Sequence, residues 1–237
     1  MNEAFMTDQP VPIEAQAQQP KEKDPRWATI TSRVVSVICS PYLVPLLAFA
    51  FLFFFTYLMM TQARYKTIIF SVVANFTVLV PMLSVSIFKK LSKVSDEDMH
   101  TTQMRYFTIG MFAISYVFCM LLLKRMSAPW ILSGVVLAMV LGFILIMASN
   151  MFIHLSEHLL GAGVLIGTLL TASEFFQFNP LWMLSLLIIL SGLVGAARIC
   201  LRRHNLLEVF LSYFIGICLA LLVLHPSFGM PFRWLLF

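Results

Sequence analysis

Apolar runs about as long as a bilayer is thick recur along nearly the whole chain after residue 30. A helix needs about 20 residues to cross a hydrocarbon layer of about 30 Å. Backbone N–H and C=O groups in lipid find no water, so a spanning run has to be a helix that satisfies them internally. Seven such runs lie at about 34–60, 67–88, 106–123, 130–153, 158–173, 181–197 and 206–224. The predicted fold is therefore all-α, a polytopic transmembrane helical bundle of about six or seven spans. Composition agrees: 60% of residues are hydrophobic and 11% charged, where soluble domains carry about a quarter charged residues. The fifth and sixth runs are short and contain Gly161, Gly163, Gly167, Gly192 and Gly195, small residues that suit close helix packing in lipid. In the first run Pro41 and Pro45 are expected to kink or break the helix near one membrane face.

The ends read differently. Residues 1–30 are polar and rich in Gln and Pro, the composition of a disordered tail, and no cleavable signal peptide is expected there. Residues 31–225 form the transmembrane domain. Residues 226–237 are too short to span and set Phe232, Trp234 and Phe237 beside Arg233, a pattern that suits the membrane interface. Cys39, Cys119, Cys200 and Cys218 are scattered singly, with neither a disulfide framework nor zinc-ligand spacing. The net charge of +5 does not imply nucleic acid, because no soluble basic domain is present to hold it. The positive-inside rule and anionic headgroups account for it better.

With seven spans, the segments after the second, fourth and sixth share one membrane face, and these hold KKLSKVSDEDMHTTQMR, HLSEH and ARICLRRHNLLE. The opposite face offers mainly Arg64, Lys66, Lys124, Arg125 and Arg233. The positive-inside rule makes the clustered face cytoplasmic, although charges that belong to a site distort such a count.

In the third cluster His204 and Glu208 are four apart, so on a helix beginning near Arg203 they share a face. A carboxylate there can accept from one imidazole nitrogen, leaving the other to act as nucleophile or base. Arg198, one or two turns earlier, offers a planar fork suited to phosphate oxygens. Taken alone, ARICLRRH also reads as a basic stretch meeting headgroups. The second cluster, NMFIHLSEHLLGAG, joins two spans with almost no loop, which sets His154, Ser156, Glu157 and His158 at or just inside the membrane surface. The bland alternative is a polar hinge satisfied by water. The first cluster ends in Arg105 at the mouth of the third span, a common place for a membrane anchor.

Together the three segments resemble the type 2 phosphatidic acid phosphatase superfamily, with its acid phosphatase and haloperoxidase-like fold. Its third motif is Ser-Arg, five residues, His, three residues, Asp; here Ala197, Arg198, His204 and Glu208 keep both spacings. Its Pro-Ser-Gly-His second motif is similar to LSEH, which keeps Ser156 and His158 but has Leu155 and Glu157 for Pro and Gly. Of the first motif, Lys, six residues, Arg-Pro, only Arg105 remains, with Asp98 and Tyr106 at the other positions. CSPYLVPLLAF, HTTQMRY, IHLSEHLLGAG and GLVGAARICLRRH look like a divergent, compact bacterial branch, which implies the bacterial inner membrane.

The resemblance implies a phosphatase acting on a membrane lipid phosphate or polyprenyl diphosphate, with no metal or other cofactor and no nucleic acid. Phosphatidic acid, phosphatidylglycerophosphate and a lipid A phosphate are also candidates. His204 would be the nucleophile forming a phosphohistidine, Glu208 its orienting carboxylate, and His158 the acid that protonates the leaving oxygen. Arg105, Ser156 and Arg198 would hold the phosphoryl oxygens. The lost Lys removes one phosphate ligand, for which His154, Lys93, Arg202 or Arg203 are possible replacements. Glu157 would repel substrate unless it pairs or points away.

Three other readings use the same residues. The first is an inactive relative that still binds lipid phosphate. The second is an intramembrane zinc metalloprotease, since HLSEH is also His, two residues, Glu, His, with His204, Glu208 or Glu174 as a third ligand. The third is a lipid carrier, although the polar groups lie at span ends on one face and not at mid-membrane.

Overall fold

The structure is a computed structural model that describes residues 43–91, 102–149, 153–201 and 204–225. The N-terminal tail of residues 1–30, Pro41, Cys39, Lys93, Asp98, Arg202, Arg203 and the C-terminal segment 226–237 lie outside the described residues. Regular structure among the described residues is entirely helical. Helix α1 covers Val44–Phe55, α2 Ala63–Ala74, α3 Val80–Leu91, α4 Thr102–Arg125, α5 Trp130–Ser149, α6 Glu157–Phe176, α7 Leu181–Cys200 and α8 Leu206–Leu224. A π-turn, Asn75–Leu79, joins α2 to α3. Six described stretches are long and apolar enough to cross a membrane: Ala63–Phe88, Tyr106–Arg125, Trp130–Ser149, Glu157–Phe176, Leu181–Cys200 and Leu206–Leu224.

The last six expected spans are therefore present, and the fifth and sixth each run to twenty residues, longer than expected. They lengthen because Glu174 and Arg198, polar enough to suggest an end, lie within the terminal turns. The first run contributes a described helix of only twelve residues, with Pro45 in its first turn, where a missing N–H costs nothing. At about 1.5 Å per residue that helix is shorter than the hydrocarbon layer.

Burial sets the architecture. In the most apolar stretch of α5, 72% of the residues are buried inside the protein, and in α6 67%, against 22% for Ala63–Phe88 and 28% for α8. Helix α5 is thus the hydrophobic centre, packed by α4, α6 and α8, while α1 and α7 lie against α6. Ile189, Leu207, Phe214 and many other large apolar side chains stay exposed on the outer helices, an arrangement that lipid solvates and water would not.

The closest approach is between α6 and α8. A Cβ placed at Gly163 would lie 2.2 Å from the Tyr213 carbonyl oxygen, and one at Gly216 would lie 2.2 Å from that of Leu160. The expectation of close packing thus holds for α6 but not for Gly192 on α7, where an added Cβ meets nothing within 4 Å because the residue opens onto a groove.

The π-turn has a local cause. Val80 N–H bonds back to the Asn75 carbonyl, five residues earlier. Continued by one residue, that pattern would have Phe76 accept from residue 81, a proline with no N–H. The Ser115 hydroxyl of α4 donates to the Phe76 carbonyl instead, at 2.5 Å.

Candidate functional site

Three chain segments meet on one membrane face: the residues entering α6, the last turn of α7 and the entry to α8. The N-termini of α6 and α8 both point to this face, where their unsatisfied N–H groups and positive dipole ends favour an anion.

The entry to α8 is built by a capping box. The Asn205 side chain accepts from the backbone N–H of Glu208, and Glu208 Oε2 accepts from the Asn205 N–H at 3.2 Å. The helix begins only at Leu206, so His204 stands just before it and not on it, contrary to the expected helical pair. The two side chains still meet, with His204 Nδ1 at 3.1 Å from Glu208 Oε2, because the box folds the Glu208 carboxylate back over the turn. The same Nδ1 lies 3.0 Å from the His154 carbonyl oxygen. Two acceptors at one nitrogen put a proton on Nδ1, so in the neutral ring the lone pair is on Nε2. The His204 side chain is 10% exposed and that of Glu208 17%.

Arg198, in the last turn of α7, donates from Nη2 to His158 Nδ1 and has His158 Nε2 at 3.2 Å. His158 is the second residue of α6, and both side chains are half-buried. An imidazole that accepts from a guanidinium is neutral in this arrangement. Ser156 is the N-cap of α6 and fully buried; its Oγ has no hydrogen-bond partner among the described residues, and its backbone N–H donates to Ser212 Oγ at 2.7 Å. A buried oxygen of this kind is where a polar ligand atom fits. Glu157 occupies the first position of α6, where the helix dipole favours a carboxylate.

The structure thus brings together His204 with Glu208, and His158 with Arg198, and sets Ser156 on the loop between. Arg105 is in the first turn of α4 on the same membrane face, with α5 and α3 as the main neighbours of its helix. Sequence reasoning missed two participants, the His154 carbonyl and Ser212. Neither carries a pattern in the sequence, since one is backbone and the other an ordinary serine in an apolar run.

The zinc pattern does not form. Residues 153–156 are not helical, so His154 and His158 do not share a helical face, and the Arg198 guanidinium occupies the position a cation would need beside His158. Among the described residues no three His, Cys, Asp or Glu side chains gather as a metal site. The described cysteines Cys119, Cys200 and Cys218 are free thiols.

Below this polar cluster an apolar groove of about 320 Å³ runs between α6, α7 and α8, lined by Leu159, Gly192, Gly195, Ile199, Phe210 and Tyr213 among others. Ile199 adjoins Arg198 in the chain but is turned about 100° from it around the helix, and the residues lining the groove do not include Arg198, His158 or His204. A smaller pocket of about 60 Å³, between α1, α6 and α7, reaches His158 from the other side.

Residues 149–229 match the family model of the PAP2 superfamily. The resemblance read from the second and third segments is borne out, while Arg105 lies outside the matched stretch. Comparison with curated proteins finds no match, and neither does comparison with solved structures.

Proposed function

We propose that this chain, whose residues 149–229 form a PAP2 superfamily domain carried on membrane-length apolar helices, is an integral membrane lipid phosphatase that works through a phosphohistidine. The observation that carries the reading is the double anchoring of His204 Nδ1 on Glu208 and the His154 carbonyl, which leaves Nε2 as the nucleophilic nitrogen.

In the proposed reaction Nε2 attacks phosphorus while the bond from phosphorus to the lipid oxygen breaks, and His158 gives that oxygen a proton. Water then attacks the phosphohistidine, His158 takes the water proton, and inorganic phosphate leaves with His204 restored. Arg198, Arg105 and Ser156 hold the phosphoryl oxygens, where charge must be stabilised in a loose transition state. Arg198 bonded to a neutral His158 is the resting pairing. A phosphate dianion draws the guanidinium to itself, and the imidazole then carries the proton it will transfer.

The lipid character of the substrate rests on the membrane-length apolar helices that carry the site and on the small apolar pocket where Leu187, Leu190 and Val194 lie with His158. Both monophosphate and diphosphate headgroups fit this chemistry, the leaving oxygen being that of the lipid alcohol or of a lipid phosphate.

The test is phosphate release by detergent-purified protein from phosphatidic acid, phosphatidylglycerophosphate, a polyprenyl diphosphate and a lipid A phosphate, with and without a chelator. Release from at least one lipid that persists under chelation is expected. Binding of these lipids without release would make the protein a lipid-phosphate-binding relative, and loss of release under chelation would require a metal.

Glu208→Gln keeps an oxygen for the capping box but removes the charge that steadies the imidazolium formed during attack. A fall in kcat on the order of 100-fold or more is expected, with KM little changed, because the loss is confined to the transition state. Steady-state kinetics on the preferred lipid check this, and an equal rise in KM would assign Glu208 to substrate binding instead.

A further inference from the structure

The position of His158 depends on where α6 begins, and a residue of α8 holds that point. Ser212 is fully buried in the second turn of α8. Its hydroxyl donates to the Glu208 carbonyl, one turn back, at 2.5 Å. A serine bonded to its own helix in this way has its hydrogen committed, so its remaining lone pairs point away from α8. The donor they meet is the backbone N–H of Ser156, 56 residues earlier in the chain, at 2.7 Å.

Ser156 is the N-cap of α6, and its own side chain does not cap the helix. Two residues on stands His158; two residues before it is His154, whose carbonyl accepts from His204. The loop is therefore tied to the entry of α8 at two points. One tie runs through the nucleophile itself. The other runs through Ser212, which belongs to neither motif and meets Ser156 and Glu208 only at their backbone, not at a side chain that takes part in the reaction.

We propose that Ser212 is a positioning residue for proton transfer: by holding the Ser156 N–H it sets the start of α6, and with it the side chain of His158, against the oxygen that leaves opposite His204. This rests on the phosphatase reading above. It divides the chemistry in a way that a general stabilising role does not. An alkoxide leaving group is strongly basic and needs the proton from His158. A nitrophenolate leaves without one. Moving His158 therefore slows formation of the phosphohistidine from the first kind of ester and spares it for the second, whereas moving His204 or loosening the fold slows both. Breakdown of the phosphohistidine, where His158 takes the water proton, is common to the two esters, so the first turnover is the quantity that separates them.

The experiment uses the full chain in detergent and two amphiphilic esters, phosphatidic acid and a nitrophenyl phosphate carrying a long alkyl chain. Ser212→Ala is expected to lower the first-turnover rate on phosphatidic acid by on the order of 30-fold, less than the roughly 100-fold or more that losing a general acid outright costs. The first-turnover release of nitrophenolate should change less than about 3-fold, because that leaving group needs no proton. His158→Ala should give the same pattern more strongly. Ser212→Thr, which retains the hydroxyl, should recover the phosphatidic acid rate.

If Ser212→Ala does not fold, Ser212→Cys, whose sulfur is a weak acceptor, carries the same comparison. Equal losses on the two esters, or no loss on either, overturn the positioning role alone. Hydrolysis by the unaltered protein of neither ester, and of no lipid in the panel above, overturns the phosphatase reading and this proposal with it.

Discussion

Replacing His204 with alanine is expected to lower phosphate release by on the order of 10⁵-fold, the scale on which removal of a covalent nucleophile acts. The reason is that the route through the phosphoenzyme closes altogether. What remains is the stabilisation that Arg198 and the helix N-termini give to attack by water. Folding should change little, by about 1 kcal/mol, since the side chain gives up only its bonds to Glu208 and the His154 carbonyl. Glu208 also keeps the Asn205 N–H.

Two measurements check this. One is the release rate on the preferred lipid. The other is acid-sensitive, base-stable labelling of the protein by lipid carrying radioactive terminal phosphate, expected in the unaltered chain and absent in His204→Ala. Label that persists in the variant would place the nucleophile elsewhere.

Gly216→Leu is expected to be the most damaging substitution for the fold. A Cβ at this position lies 2.2 Å from the Leu160 carbonyl oxygen and 3.0 Å from the Cα of Gly163. These are backbone atoms of the facing helix, so no rotamer change relieves the clash and α6 and α8 must separate. Overpacking of a tight interior typically costs 1–3 kcal/mol where side chains can yield; here about 3 kcal/mol or more is expected. The consequence reaches the site, since the same crossing holds Ser156 against Ser212 and the His154 carbonyl against His204.

Thermal unfolding in detergent measures the effect, and Gly110→Ala supplies the control. An added Cβ at Gly110 in α4 meets nothing within 4 Å. A helical Gly replaced by Ala there should stabilise the protein by about 0.5–1 kcal/mol. If Gly216→Leu melts like the unaltered protein, the crossing is not as close as described.

Some of the site was legible because its residues are near in sequence. Asn205 and Glu208 form a capping pattern three residues apart, and His204 and Glu208 are four apart, so local geometry alone brings imidazole and carboxylate together. The local detail still differed from expectation. A helix through His204 was assumed, whereas the cap at Asn205 starts α8 later and the folded-back carboxylate makes the contact. The zinc pattern failed for a related reason, since HLSEH needs one continuous helix and α6 begins only at its fourth letter.

Other contacts join positions 40, 50 and 56 apart: Arg198 with His158, His204 with the His154 carbonyl, and Ser212 with the Ser156 N–H. No periodicity encodes these. They depend on how close α6, α7 and α8 approach, which Gly163 and Gly216 permit but do not dictate singly.

By itself the sequence determined the class of fold, because a backbone in lipid has few solutions and apolar length reveals which was taken. It also indicated that the second and third charged clusters share one face, since two spans, α6 and α7, separate them. The tertiary structure decided which of those charges touch, where each helix starts, and that α7 opens a groove at Gly192 where tight packing was expected. These are matters of a few ångströms between helices, set by side-chain and backbone packing summed over whole crossings.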